Sequence, residues 1–562
     1  MKTRNKLYDK SRLRLLCLLT ALLGIFGAGQ TWAGNPTTLT VGGTNALNGG
    51  YWLTNADGTL TEASADNYNV YYDGNGTLTL KDATINGTNI IGHVGAGIYA
   101  EGDLTIVLEG SSTVTGVQDP NDESQSIRVS GNLTIQGGSL TAQGAETSSG
   151  SSYGIFVTGS FTQQSGIVTA IGGNVSGNYS SEGLYVYGGT VTVERGTLTA
   201  TGGNTSGSSY GISARGTVTV GSAAVTATGG SGNASYGLYI DSASPSVNLS
   251  DNGSLTARSE SADRAGGIYV LNLFGSAGAV TVGDNSTLLA NSVILFDQSF
   301  AEKPLAPNGN GSWLIYGQSN QTSAVGGNYT LTDNLTIESG NTLTIPAGST
   351  LTIPNGKTLT ADANQLVVNG ELVLEGTFEN AKELEGSGNL VLGEITLTDD
   401  KGISEYAGYH LKLKSKKVTY VRALSDNSQY GTICLPFVPT SVAGGQVTYY
   451  QVSELESDVI TLVETDFEAG KPLFYQTPGT GSITFSAESA AGVELVTTPA
   501  TDNFMVGTMS EVIPNAGYFL KNNNFYPITN GDKVKVKPFR AYVKGQNDAS
   551  QASVMSVNVA RP

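Results

Sequence analysis

The 562 residues include 75 Gly and only 14% charged residues, with 47 Asp+Glu against 29 Lys+Arg for a formal net charge of −18. This is unlike an average globular enzyme, and the acidity argues against nucleic acid or an anionic membrane surface as a direct partner. Two Cys (Cys17 and Cys434) leave no material for a disulfide framework, and two His (His93 and His410) in different predicted domains nearly exclude a Ser-His-Asp triad or a multi-histidine zinc site.

The chain opens on a basic segment with Lys2, Arg4, Lys6, Lys10, Arg12 and Arg14. An apolar run from Leu13 to Phe26 follows, interrupted by Arg14 and Thr20, and then Thr31-Trp32-Ala33 before Gly34. This order predicts a cleaved signal peptide over residues 1–33 and a secreted or bacterial cell-surface protein. The apolar run is short for a membrane span, and no later stretch reads as a transmembrane segment of the mature chain. Cys17 lacks the small residues of a lipobox.

Thr38 to Gly43 and Val70 to Leu80 read as strands with a tight turn at Asp73-Gly74, and the irregular piece from Leu47 to Tyr68 is placed to cap an open first rung. A four-residue pattern then returns seven times, with aliphatic anchors Ile98, Ile127, Ile155, Leu184, Ile212, Leu238 and Ile268. They are spaced by 29, 28, 29, 28, 26 and 30 residues. After each anchor come two more alternating segments, such as Val191-Thr-Val193 and Leu198-Thr-Ala200, so each repeat holds three strands. Aliphatic residues alternating with Thr point to one buried face, and like residues at like positions favour parallel stacking, each strand about 4.8 Å from its copies. The expectation is an all-β parallel β-helix: a long-rung solenoid with its N-terminal cap over residues 34–320.

Phe296 to Ser323 is irregular and marks a seam. Leu335, Leu343, Leu351 and Leu359 then recur every 8 residues with Pro- and Gly-containing corners, predicting a short-rung continuation over residues 321–400. Residues 34–400 carry 9 Lys+Arg against 32 Asp+Glu, whereas residues 401–562 carry 14 against 14. With this shift come short strands without a repeat, predicting a C-terminal antiparallel β-sandwich-like domain over residues 401–562. Cys434, in the apolar run Thr432-Ile-Cys-Leu-Pro-Phe437, reads as a core thiol.

The run from Asn69 to Ile85, together with Gly-Asp-Leu-Thr-Ile106 and Gly-Asn-Leu-Thr-Ile135, resembles secreted bacterial right-handed β-helix proteins of the pectin-lyase-like type. It is similar to those described as carbohydrate-binding rather than catalytic, and the likeness covers roughly residues 37 to 320. Tyr430 to Phe437 and Pro538 to Tyr542 resemble a C-terminal β-domain of surface and secreted proteins from anaerobic Gram-negative bacteria. The resemblance implies a right-handed helix and a glycan ligand. The related enzymes use clustered carboxylates, with calcium or as acid/base pairs, and here no Asp or Glu recurs beside the anchors.

One ordered feature goes beyond what a scaffold requires. The residues following the anchors, Tyr99, Arg128, Phe156, Tyr185, Ser213, Tyr239 and Tyr269, point outward in one column, and five of them are aromatic. Tyr99, Phe156, Tyr185, Tyr239 and Tyr269 are therefore the carbohydrate-binding candidates, since sugar C–H faces stack on flat rings. The alternative is a ladder of rings that stabilises the stack. Asp119, Asp122 and Glu123 are a weak calcium candidate, with a solvated turn as the alternative. No catalytic residue and no other cofactor is expected. Asn355-Gly356-Lys357-Thr358 lacks the leading Gly of a phosphate-binding loop and is a turn. Three readings follow: a non-catalytic secreted or surface solenoid that binds polysaccharide or host glycan; a surface stalk or adhesin; and, from fold alone, a polysaccharide lyase or hydrolase.

Overall fold

A computed structural model describes residues 34–87, 95–118, 123–260, 264–272, 278–296, 302–317, 323–362, 364–379, 384–403, 411–424, 429–456, 459–477, 481–528, 533–545 and 554–559. The expected signal peptide, His93, Asp119, Asp122 and His410 lie outside the described residues. The fold is all-β, a parallel solenoid of about nine turns with other sheets after it, and the chain divides into two compact units, Met1–Asn310 and Gly311–Pro562.

In the first unit, one wall stacks eight parallel strands: Gly95–Glu101, Ser124–Ser130, Ser152–Val157, Ser181–Val186, Ser208–Ala214, Ala234–Asp241, Arg264–Leu271 and Val293–Phe296. The seven anchors pair with one another in register and are fully buried, and Val293 extends the column by an eighth rung. Such a column admits aliphatic side chains and little else, because each residue is enclosed by its own copies above and below. Truncating one to Ala would cost about 2–5 kcal/mol.

The other walls come from strands such as Leu104–Thr115, Leu133–Gln143, Val191–Thr201 and Val218–Gly229. In these rungs the two segments expected after each anchor form one strand that bends at a corner glycine, while Phe161–Gln163 and Ile167–Ile171 stay separate. The corner glycines stack. Gly137, Gly166 and Gly196 have φ of 86°, 86° and 91°, and a Cβ on Gly166 would be driven into the carbonyl of Gly137.

A polar column also runs inside. Ser124, Ser152, Ser181, Ser209 and Ser235 pair in register and are buried. Ser152 Oγ donates to the Ala145 carbonyl at 2.7 Å and accepts from the Gly173 N–H of the next rung at 2.9 Å. Ser181 does the same with Gly173 and Gly203, each at 2.7 Å. The Ser152, Ser181 and Ser209 hydroxyls thus each satisfy backbone groups of two rungs at a corner where the ladder cannot, whereas Ser235 Oγ, at the end of the column, has no hydrogen-bond partner among the described residues.

At the start of the solenoid, Thr38–Val41 pairs antiparallel with Gly95–Glu101, covering the first edge of the wall. Gly50–Thr54, Leu60–Glu62 and Val70–Tyr72 form an antiparallel sheet that hands over to Thr77–Lys81, which runs parallel to Leu104–Thr115. At the other end, Val293–Phe296 meets Glu302–Pro304 in antiparallel pairing.

In the second unit, three sheets of short parallel strands come first. Examples are Thr350–Ile353 on Glu371–Leu374, Leu343–Ile345 on Leu366–Val368, and Thr358–Thr360 on Thr377–Glu379. Asn389–Leu397 then pairs parallel with Lys412–Ala423, which pairs antiparallel with Ser482–Glu494. The composition shift near residue 401 therefore falls inside a sheet. A five-stranded and a four-stranded sheet follow, packed around Phe474, Phe525, Ile460, Leu462 and Val543. Cys434 is fully buried, with its Sγ 3.2 Å from the Gly470 carbonyl, and burial pushes its thiol up to about 12.

Candidate glycan-binding face

The outward column of the first wall is in register: Tyr99, Arg128, Phe156, Tyr185, Ser213, Tyr239 and Tyr269 pair in sequence along the stack. Tyr99 and Tyr269 are buried, at 5% and 8% exposure, whereas Phe156, Tyr185 and Tyr239 are half-buried.

A second column, two residues before the anchors, lies beside it: Gln125, Tyr153, Glu182, Tyr210 and Tyr236. Simple alternation would turn these side chains inward with the anchors. Instead the strand loses its alternation at the intervening glycine. Gly154 has no register partner, and a Cβ there would press on the Ala142 and Gly183 carbonyls. The recurrent Ser-Tyr-Gly-aliphatic motif at 152–155, 209–212 and 235–238 is the sequence signal for this column.

The two columns pack ring on ring. Tyr153 stacks on Tyr185 at 5.6 Å, and Phe156 meets both edge-on at 5.3 and 5.2 Å. Farther along, Tyr236 lies 4.6 Å from Tyr269 and Tyr210 lies 5.0 Å from Tyr239, while Tyr239 stacks on Tyr269 at 5.7 Å. Arg128 lies over Phe156 at 5.0 Å, and Arg215 over the exposed Tyr187 at 4.3 Å. Offset and edge-on contacts like these stabilise the stack by about 0.5–1.5 kcal/mol each beyond area burial.

Between the two ring clusters the file is interrupted by Glu182 and Ser213. Glu182 is 5% exposed, and its Oε2 has no hydrogen-bond partner. Burial drives its carboxyl up to about 8, with the charge of Glu123 adding to the effect; Ser180, Ser213 and Arg215 act in the opposite direction. At neutral pH it is mainly a neutral acid among tyrosines. Burial, with the charge of Glu182 behind it, pushes Tyr185 up to about 12. Glu123 is half-buried and accepts from Gln125 Nε2 at 3.1 Å. It is the one member of the calcium candidate that is described. Among the described residues no three His, Cys, Asp or Glu side chains gather as a cation cage.

The corner loops leading into this wall pair along the stack. Thr147, Val175 and Thr205 form parallel bridges, the Asn204 N–H donates to Asn174 Oδ1, and the Ser231 N–H donates to Asn204 Oδ1, both at 2.9 Å. They line a trough of about 550 Å³ with Glu146, Ser148 and Ser176. Its amides and hydroxyls can hydrogen-bond a polyol. It has no aromatic floor.

No family model and no curated protein matches the chain. Among solved structures, a double mutant of the tailspike protein of E. coli bacteriophage HK620 in complex with a pentasaccharide aligns at 11% identity. That alignment has a TM-score of 0.18 and covers 75% of this chain and 87% of that one.

Proposed function

We propose that the protein binds glycan on the outer face of the first wall, without cleaving it. The observation that carries this reading is the double file of rings from Tyr153 to Tyr269, with Phe156, Tyr185, Tyr187 and Tyr239 still reaching solvent. Half-exposed rings present flat apolar faces to sugar C–H groups, and the adjoining Arg215 and Ser180 supply polar contacts of the kind that fix orientation. In this reading the mature chain begins near Gly34, acts outside the cytoplasm or at the cell surface, and needs no cofactor. Calcium enters only if it bridges an acidic polymer to the acidic solenoid.

A glycan array probed with the purified mature protein, with and without calcium, tests the proposal. Retention of at least one glycan class, lost when the rings are replaced, is the expected outcome. An array without any binding removes it. Release of unsaturated or reducing sugars from bound polymer would replace it with the lyase or hydrolase reading. The stalk reading has its own support in the burial of Tyr99 and Tyr269, whose rings serve packing first.

A further inference from the structure

The second unit holds a pocket of about 560 Å³ of a different character from the aromatic face. It is lined by five cationic side chains, Arg422, Lys521, Lys535, Lys537 and Arg540, with Tyr475 and Phe519 among the other walls. Three of the five are matched. Lys535 pairs with Glu511 at 2.6 Å, Lys537 with Asp400 at 3.1 Å, and Arg540 with Asp399. Asp399 is engaged at both oxygens, because it also accepts from the Tyr420 hydroxyl at 2.6 Å. Burial pushes its carboxyl up, but the hydrogen bonds from Arg540 and Tyr420 and the charges of Arg540 and Arg422 outweigh that and hold it below the usual carboxylate range.

Among the described residues, no ion pair matches Arg422 or Lys521. Arg422 is 7% exposed, donates through Nη1 to the Thr432 carbonyl and lies 4.9 Å from the Tyr475 ring, and among the described residues no carboxylate pairs with it. A buried guanidinium stays charged at any physiological pH, and a buried charge is ordinarily paired. Arg540 adds a second unmet demand, since its Nε–H is buried with no acceptor. The pocket thus combines two guanidinium groups around one carboxylate, whose charge acts on both, with unpaired donors, an aromatic wall and a volume that encloses one or two sugar rings.

We propose that this pocket binds an organic oxyanion of monosaccharide or disaccharide size, a sugar bearing a carboxylate, sulfate or phosphate. The oxyanion sits on Arg422, which the buried Tyr475 ring backs, with Lys521 at the rim, and the sugar ring rests against Phe519. This assignment is independent of the aromatic face in the first unit. Its lining falls within residues 401–562, whose charges balance, not in the acidic solenoid.

The test is calorimetric titration of the mature full-length protein with glucuronate, glucose 6-sulfate and glucose 6-phosphate, against glucose and inorganic phosphate as controls. At least one charged sugar should bind at least tenfold more tightly than glucose and more tightly than inorganic phosphate, and raising the salt from about 50 to 500 mM should weaken it severalfold. Arg422→Met should reduce affinity at least tenfold. Because Arg422 is buried, the exposed Lys521→Ala is the companion variant: it should keep the melting temperature and lose affinity severalfold. The proposal is overturned if no charged sugar binds, if glucose binds as tightly, or if Lys521→Ala leaves the affinity of a bound anion unchanged. Inorganic phosphate binding as well as the phosphorylated sugar would overturn the role of the aromatic wall.

Discussion

Tyr153 and Glu182 occupy the same position on adjacent rungs, so a buried carboxyl stands directly above a buried ring in a file otherwise dominated by tyrosines. This places a titration inside the candidate face. A carboxyl raised from 4.5 to about 8 binds a proton in the folded state over a pH range where the unfolded chain has released it. Folding stability contributed by this group is therefore intact below about pH 4.5 and falls as pH rises towards 8. The loss is on the order of 5 kcal/mol at most, the rise from 4.5 to about 8 taken at about 1.36 kcal/mol per pH unit. Melting curves between pH 5 and 8.5 should show the wild type losing stability relative to Glu182→Gln, which keeps the shape and cannot ionise. Parallel curves for the two proteins would show that Glu182 is ionised throughout.

The anchors were legible in the sequence because a column enclosed by its own copies tolerates only aliphatic residues, and that restriction repeats every 26 to 30 residues from Ile98 to Ile268. Val293 was not, since it follows Ile268 by only 25 residues, outside the rhythm of the other rungs, and lacks the Gly that precedes six of the seven anchors. Tyr153, Tyr210 and Tyr236 escaped for a geometric reason: period-2 alternation assigns them to the interior, and only the unpaired glycine before each anchor turns them out. In the second unit, the pairing of Lys412–Ala423 with Ser482–Glu494 joins segments some seventy residues apart, as the register Val418↔Ala487 shows. No local period encodes a contact of that range.

The register itself is testable by charge placement. Ile155 is fully buried in the anchor column, whereas Thr192 is half-exposed between the buried Val191 and Val193. Ile155→Asp should destabilise by several kcal/mol, because an unpaired carboxylate among aliphatic copies has neither water nor a donor. Thr192→Asp should change stability by less than about 1 kcal/mol. Chemical denaturation of both variants decides, and similar midpoints would refute the inward-outward assignment.

Corner glycines separate backbone strain from lack of space. Gly166 and Gly74 both have positive φ, 86° and 72°, but a Cβ on Gly166 collides with the Gly137 and Gly138 carbonyls while one on Gly74 makes only ordinary contacts, the nearest at 3.7 Å. Gly74→Ala should cost about 1–2 kcal/mol, the strain of the left-handed conformation alone. Gly166→Ala must also push two rungs apart and should cost distinctly more. Equal melting temperatures for the two variants would mean that the corner stack relaxes freely.

The aromatic face gives the last prediction, because binding and packing respond differently to the same change. Phe156 and Tyr185 pair on adjacent rungs, contact each other edge-on at 5.2 Å, and are both half-buried. If their outer faces carry a glycan, replacing both with Ala removes two stacking contacts of about 1 kcal/mol each and weakens binding roughly tenfold or more. Packing is disturbed as well, since Tyr153 and Arg128 lean on these rings, so the melting temperature falls too. The control is Tyr99→Ala with Tyr269→Ala, whose rings are buried: this pair should lower stability at least as much while leaving less affinity to lose. The quantity to compare is affinity for the best glycan from the array, measured well below the melting temperature of each variant. A larger affinity loss from Phe156 and Tyr185 than from Tyr99 and Tyr269 assigns the exposed part of the file to the ligand. Affinity that simply tracks melting temperature across both pairs would make the whole double file a structural ladder and leave the stalk reading in its place.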